Sequence, residues 1–202
     1  MILSSTLATA AFLFLLGLVL GSFYNVCIHR YLSGESVVSP GSHCPRCLKP
    51  LKWWENLPLV SYLLLKGRCR GCGEPISLRY PAVELISGIW LPLVYLEHGL
   101  GPAWAVYAAF GGLLIVLAFI DLDSFVLPDT LVLPGAVAAL ACSSLLLELG
   151  WLDSLLGAVV GAGSFFLLQK VYKLLKGVEG LGSGDVKLML LLGALVGWRL
   201  LP

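Results

Sequence analysis

Six apolar segments constrain the fold of this chain more than any other feature. They cover residues 5–28, 80–98, 102–120, 130–149, 154–173 and 186–201. A helix that crosses a bilayer needs about 20 mainly apolar residues. Only 12% of the 202 residues are charged, whereas soluble domains carry about a quarter. The sequence therefore predicts an all-α polytopic membrane protein with about six transmembrane helices.

One polar segment, residues 29–79, separates the first two apolar segments. It holds eight of the thirteen Lys and Arg residues. Because basic residues collect on the cytoplasmic side of a membrane, this loop is predicted to be cytoplasmic. The chain then divides into a first transmembrane helix (1–28), the loop (29–79) and a transmembrane core (80–202). The first helix lacks the flanks of a cleaved signal peptide, so it is interpreted as a retained span. The net charge of +1 gives no basis for binding nucleic acid.

Four of the six cysteines in the chain form two CxxC pairs within this loop. Cys44 and Cys47 precede Cys69 and Cys72. Two such knuckles supply four thiolates, which is the ligand set of a tetrahedral zinc site. Four protein ligands leave no open position on the metal, so the predicted role of the zinc is structural. Redox-active pairs, a loop disulfide or an iron–sulfur cluster remain alternatives.

Two acidic residues lie at the same predicted membrane depth although they are far apart in sequence. Asp121 ends the third apolar segment, and Asp185 precedes the sixth. Two close carboxyl groups cannot easily both ionise, so they hold one proton between them, as peptide hydrolysis by a carboxylate pair requires. Asp121 and Asp185 are therefore candidate catalytic residues. The alternative is that these acids cap helices or sit in interfacial water, and for Asp129 a helix cap is favoured.

Two further features of the apolar segments are predicted to be structural. The sequence GAVVGAG at 157–163 spaces small residues as close helix packing in lipid requires. Glu84, near the cytoplasmic end of the second segment, would pair with Arg79 or Arg30. Alternatively, it would meet a basic peptide or an amine substrate.

With these residues laid out, the chain resembles the type IV prepilin peptidases, a family of GxGD membrane aspartyl proteases. The resemblance rests on motifs spread over nearly the whole chain. In order they are Gly21-Ser-Phe-Tyr-Asn25, His29-Arg30, Ser39-Pro-Gly-Ser-His43, the two cysteine knuckles with WWENLPLVSYLLLKGRCRGC, Arg79-Tyr-Pro-Ala-Val-Glu84, Asp121 through Pro128-Asp129, and Gly182-Ser-Gly-Asp185-Val-Lys187.

The resemblance implies a membrane endopeptidase in which Asp121 and Asp185 are the catalytic aspartates. Its substrates would be type IV prepilin or pseudopilin precursors of a pilus or type II secretion system. Short basic leaders would be removed at the cytoplasmic face of the bacterial inner membrane. The resemblance also implies N-methylation of the new amino terminus with S-adenosylmethionine, with no residues assigned to the donor. It further implies two spans beyond the sixth, which the sequence to Pro202 does not include.

Two other classes of function fit parts of the pattern. A noncatalytic zinc-loop component of a secretion or pilus machine would explain the cysteines without using the aspartates. A proton-coupled transporter would use the acids as a relay, but it needs carboxylates near the middle of the bilayer. The contacts with membrane lipids follow from the composition, and the oligomeric state is left open.

Overall fold

The computed structural model describes residues 2–178 and 180–201, and within these ranges the regular structure is helical. Seven α-helices follow one another along the described chain. They are α1 (Ile2–Ser33), α2 (Val60–Leu64), α3 (Arg79–His98), α4 (Pro102–Ser124), α5 (Asp129–Leu146), α6 (Trp151–Lys176) and α7 (Ser183–Val196). Two 3-10 turns, Trp53–Asn56 and Trp198–Leu200, complete the described elements. The all-α fold class is confirmed.

Four of the described helices are long and apolar enough to cross a membrane. They are Ser4–Ser33 of α1, together with α4, α5 and α6. The helix α7 has 14 residues and is about 21 Å long at about 1.5 Å per residue, which is less than the bilayer core. The helix α3 has 20 residues but carries charged residues at both ends. The chain has membrane-spanning helices, while the count of six spans remains a prediction.

The described chain forms two compact units. Residues 1–100 and 114–120 belong to the first unit, and residues 101–113 and 121–202 belong to the second, apart from the residues outside the described ranges. The first unit contains α1, the polar loop and α3. The second unit contains α5, α6 and α7 together with both ends of α4.

Glycines bring α1 and α3 into close contact in the first unit. A Cβ atom on Gly17 would lie 2.3 Å from the Ser87 carbonyl oxygen, and one on Gly21 would lie 2.6 Å from Glu84 Cα. Neither position has room for a side chain. This crossing fixes the C-terminal end of α1 beside the N-terminal end of α3, where Asn25 Nδ2 donates to the Tyr80 carbonyl oxygen at 2.9 Å.

The second unit repeats this kind of contact between α6 and α7. A Cβ atom on Gly157 would lie 2.2 Å from the Gly193 carbonyl oxygen, and one on Gly193 would lie 2.1 Å from that of Gly157. The packing role predicted for the 157–163 glycines is confirmed at Gly157. Two buried hydroxyls, Ser143 on α5 and Ser154 on α6, donate to the Ala194 carbonyl oxygen at 2.9 and 2.5 Å. The helices α5 and α6 therefore converge on one turn of α7.

Candidate metal centre, cavity and aspartate site

The two CxxC knuckles adopt the same backbone conformation. In each, the N–H of the first cysteine donates to a carbonyl five residues on, from Cys44 to Lys49 and from Cys69 to Glu74. The residue after the second cysteine has a positive φ in both, 57° at Leu48 and 75° at Gly73. Each hairpin turns its pair of sulfurs to one side, so the loop presents four thiols together.

The four thiols lie close enough to share one metal ion. Their sulfur atoms are all within 4.8 Å of one another. Across the knuckles, Cys44 Sγ lies 3.9 Å from Cys72 Sγ, and Cys47 Sγ lies 4.0 Å from Cys69 Sγ. A tetrahedron with zinc–sulfur bonds of about 2.3 Å has edges of about 3.8 Å, so the cluster fits such an ion. All six cysteines are free thiols, which contradicts the alternative of a loop disulfide.

The protein gives two of these thiols very different acidities. Backbone N–H groups of Cys72 and Gly71 lower the pKa of Cys69 to about 7. The N–H of Glu74 acts on Cys72 in the same direction, but desolvation and hydrogen bonds with the other three thiols raise its pKa to about 11. One cysteine of the cluster is therefore readily a thiolate near neutral pH. Binding of a metal would displace the remaining protons.

A cavity of about 420 Å³ lies in the first unit, beside the cysteine cluster. Its walls come from the C-terminal end of α1, the loop and the first turns of α3. Three buried polar side chains line it: Asn25, Arg30 and Glu84, which are 2%, 4% and 8% exposed. The guanidinium of Arg30 donates to the carbonyl oxygens of Ser36 and Pro40 and so holds the start of the loop. The carboxylate of Glu84 accepts the N–H of Leu59 at 2.8 Å.

Sequence reasoning missed the position of Asn25, although it lies in a quoted motif. A buried asparagine in an apolar helix is costly unless its amide is satisfied. Such a residue was therefore a signal for a site.

Asp121 and Asp185 lie at helix ends in the second unit. Asp121 is half-buried in the last turn of α4, which ends as Phe125 takes a φ of 55°. Asp185 is half-buried in the first turn of α7, where its Oδ2 accepts the N–H of Gly182 at 3.2 Å. Asp123, two residues after Asp121, is exposed.

The segments that follow Asp121 and precede Asp185 are in contact. A Cβ atom on Gly184 would lie 3.1 Å from Leu127 Cβ. Lys187 Nζ binds both carboxylate oxygens of Asp129, at 2.6 and 2.8 Å. Asp129 begins α5 but makes this ion pair, and the N-cap position is occupied by Pro128. The favoured role of Asp129 as a helix cap is therefore wrong. A side chain at position 184 would crowd Leu127.

Two family models and several relatives match the chain. The bacterial peptidase A24 N-terminal domain matches residues 15–98, and the type IV leader peptidase family matches residues 108–202. A prepilin leader peptidase/N-methyltransferase of Myxococcus xanthus is 45% identical over 196 residues, which cover 95% of this chain and 57% of the relative.

A protein of Klebsiella pneumoniae with the same name is 40% identical over 198 residues, covering 95% of this chain and 87% of the relative. One of Neisseria gonorrhoeae is 39% identical over 220 residues, covering 93% and 74%. No solved structure matches the chain. With both halves matched by family models and relatives aligned along nearly its whole length, the chain belongs to the type IV leader peptidase family.

Proposed function

We propose that the chain removes leader peptides from prepilin-like precursors, with Asp121 and Asp185 as the catalytic pair. The contact between the α4–α5 turn and the first turn of α7 carries this proposal. Gly184 packs on Leu127 and Lys187 binds Asp129, so the two segments that bear the candidate aspartates are held together. The names of the relatives support the same substrate class.

In this reaction the two aspartates have complementary roles. One ionised carboxylate takes a proton from a water molecule, which attacks the carbonyl carbon of the scissile peptide bond. The other carboxyl is protonated, polarises the carbonyl oxygen and gives its proton to the leaving amine. No covalent intermediate forms.

The substrate class follows from the position of the aspartates at the ends of apolar helices. A precursor with a short basic leader and an apolar segment would place its junction at that depth. The basic loop between α1 and α3 supports a cytoplasmic orientation of this face. The leader would therefore be cut at the cytoplasmic side of a bacterial inner membrane.

Replacing either aspartate tests the proposal. We expect Asp121→Asn and Asp185→Asn to lower the rate of leader removal at least about a hundredfold, because each removes a proton-transfer group. The readout is the intact mass of a purified prepilin after incubation with the chain in detergent. Asp153→Asn is the matched control. Asp153 Oδ1 accepts from Trp198 Nε1 at 2.8 Å, and an asparagine oxygen can keep that bond. Near-normal cleavage by Asp185→Asn would refute the assignment.

We also propose that the cysteine cluster holds a structural zinc ion, with Cys44, Cys47, Cys69 and Cys72 as its ligands. The support is the sulfur geometry given above. With four thiolates bound, the ion has no open position for a substrate, so its role is to hold the loop together. The loop between α1 and α3 has few buried residues, and Cys44 is one of them.

Methylation of the new amino terminus is the second activity that we propose. The name shared by the relatives supports it. The methyl donor would be S-adenosylmethionine, which supplies an activated methyl group on a sulfonium.

A further inference from the structure

The cavity beside the cysteine cluster has the properties of a site for a small molecule. Its volume of about 420 Å³ lies within the range of about 300–1,000 Å³ that is usual for ligand pockets. Apolar and aromatic side chains line much of it, including Tyr62, Leu65, Ile76 and Tyr80. Such pockets gain affinity from the apolar lining and specificity from a few polar groups.

Asn25 is one such polar group, and half of its amide is unsatisfied. The side chain is 2% exposed. Its Nδ2 donates to the Tyr80 carbonyl oxygen, whereas its Oδ1 has no hydrogen-bond partner among the described residues. A buried acceptor without a donor destabilises the protein, because the oxygen has lost water and gained no hydrogen bond in return. Because Asn25 lines the cavity, a ligand N–H or O–H group would satisfy this oxygen.

Glu84 differs from the other two carboxylates that line the cavity. Glu74 pairs with Arg46 at 3.2 Å, and Glu55 pairs with Arg70 at 3.8 Å. Glu84 has neutral partners, the backbone N–H of Leu59 and the hydroxyl of Ser22. Neither of these partners neutralises the carboxylate. A buried carboxylate of this kind favours a cationic ligand or a group that gives up a proton.

We propose that this cavity is the methyl-transfer site, with Asn25 as a ligand-binding residue and Glu84 as the catalytic base. The proposal rests on the methyl-transfer activity proposed above. Asn25 Oδ1 would accept a hydrogen bond from the adenosine-containing methyl donor. Glu84 would receive the charged amino terminus that leader removal creates. A sulfonium donor and an ammonium acceptor are both cations, and each is stabilised by the same carboxylate.

The atoms and charges of the methyl transfer balance with Glu84 as the only protein group that takes up a proton. The terminal ammonium of the substrate loses one proton to the Glu84 carboxylate. The lone pair that this frees forms a bond to the methyl carbon of the donor. The carbon–sulfur bond breaks, and its electrons stay on sulfur, so the sulfonium becomes a thioether. The product amine carries one methyl group and one positive charge, and Glu84 returns its proton to water.

Two variants of the full chain, purified in detergent, test the two roles. Asn25→Leu removes the acceptor at similar volume, and its effect is measured as the affinity for S-adenosylhomocysteine by calorimetry. We expect the affinity to fall at least about tenfold, the effect of losing one buried hydrogen bond. Thr9→Val is the control, since Thr9 lies on the same helix and its hydroxyl donates to the Ser5 carbonyl oxygen.

Glu84→Gln keeps an oxygen for the N–H of Leu59 but cannot accept a proton. We expect it to bind S-adenosylhomocysteine within about threefold of the wild type and to remove leaders normally. Its methylation rate should fall about a hundredfold or more. The control is Glu97→Gln, at the exposed far end of α3. A purely structural role of Glu84 would instead lower cleavage, binding and methylation together.

The outcomes separate this inference from the proposed function. If both variants bind and methylate like the wild type, the cavity is not the methyl-transfer site, and the proposed function stands. If the wild type removes leaders but neither binds S-adenosylhomocysteine nor methylates, the inference fails together with the methyl-transfer half of the proposed function. If Asn25→Leu also loses leader removal, its fold is damaged, and Glu84→Gln alone decides.

Discussion

Single residues of this chain make structural contacts in addition to the chemical roles that we propose for them. Asp185 accepts the N–H of Gly182 and so caps α7, while its carboxylate remains half-buried at the helix end where a proton-sharing partner is needed. Glu84 holds the backbone at Leu59 and lines the cavity. In both cases a carboxylate that would be costly at this depth gains a backbone donor, which lowers the cost of keeping its charge.

The different acidities of Cys69 and Cys72 predict the order in which a thiol reagent modifies them. The reactive form of cysteine is the thiolate. With its pKa lowered to about 7, Cys69 is mostly ionised at pH 7.5, whereas Cys72, with its pKa raised to about 11, stays protonated. We expect iodoacetamide to modify Cys69 before Cys72 in chelator-treated protein, as measured by peptide mass spectrometry. Lowering the pH through about 7 should slow the reaction of Cys69.

Exposure alone predicts the reverse order for these two residues, because Cys72 is exposed and Cys69 is only partly so. Faster modification of Cys72 at pH 7.5 would therefore contradict the acidity argument. Protein loaded with zinc is the control, since metal-bound thiolates should resist the reagent.

At the scale of helices, close contacts through glycine hold each unit together. The α6–α7 contact is the tightest example, with Gly157 and Gly193 backbone to backbone. Lipid gives no hydrophobic drive for helices to associate, so small residues that allow close packing and interhelical hydrogen bonds supply the stability. The hydroxyls of Ser143 and Ser154 add such bonds to the same turn of α7.

Replacing one glycine tests this contact. We expect Gly157→Ala to destabilise the protein by about 1–3 kcal/mol, because the added methyl group would lie 2.2 Å from a backbone oxygen and the helices must separate. The measurement is the melting temperature in detergent. Gly163→Ala on the same helix is the matched control. A Cβ there meets nothing within 4 Å, so this variant should be neutral or slightly stabilised. Equal melting temperatures for both variants would contradict the contact.

The sequence located the helices well and their ends less well. Each predicted apolar segment corresponds to a helix, because apolar composition over about 20 residues decides membrane helices. The structure extends α1 to Ser33 and α4 to Ser124, since polar residues can continue a helix beyond its apolar part. The apolar pattern of the sequence therefore does not predict the residues at which these helices end.

The candidate sites also differ in how far the sequence predicted them. Cysteine spacing predicted the metal cluster because four ligands in two short knuckles can meet without knowledge of the fold. The cavity depends on how α1 crosses α3 at Gly17 and Gly21, which no local pattern records. The position of Asn25 beside the cavity and the Lys187–Asp129 pair therefore became visible only with the structure.

At the scale of the whole molecule, the chain combines an apolar helical body with a polar loop that cannot form its own core. We expect such a loop to gain folding free energy from a metal ion bound at the cysteine cluster. The metal cluster and the cavity are adjacent, since Cys44 and Cys69 belong to the cluster and also line the cavity. Loss of the metal should therefore affect the loop first and the helices last.

Removing the metal tests this order. After treatment with a chelator, we expect limited proteolysis to cut between residues 34 and 78 at least about tenfold faster, while the helices remain protected. The products are identified by mass spectrometry. The Cys27→Ser variant, which removes a thiol outside the cluster, should behave like the wild type. Unchanged protection of the loop without metal would contradict a structural metal.

A double-mutant comparison tests whether Asp121 and Asp185 act as one catalytic unit, as we propose. The measurement is the initial rate of leader removal by Asp121→Asn, Asp185→Asn and the double variant. Groups that share one step are strongly non-additive. We therefore expect the double variant to be no slower than either single variant. Losses that multiply in the double variant, or near-normal cleavage by one single variant, would rule out a shared catalytic step.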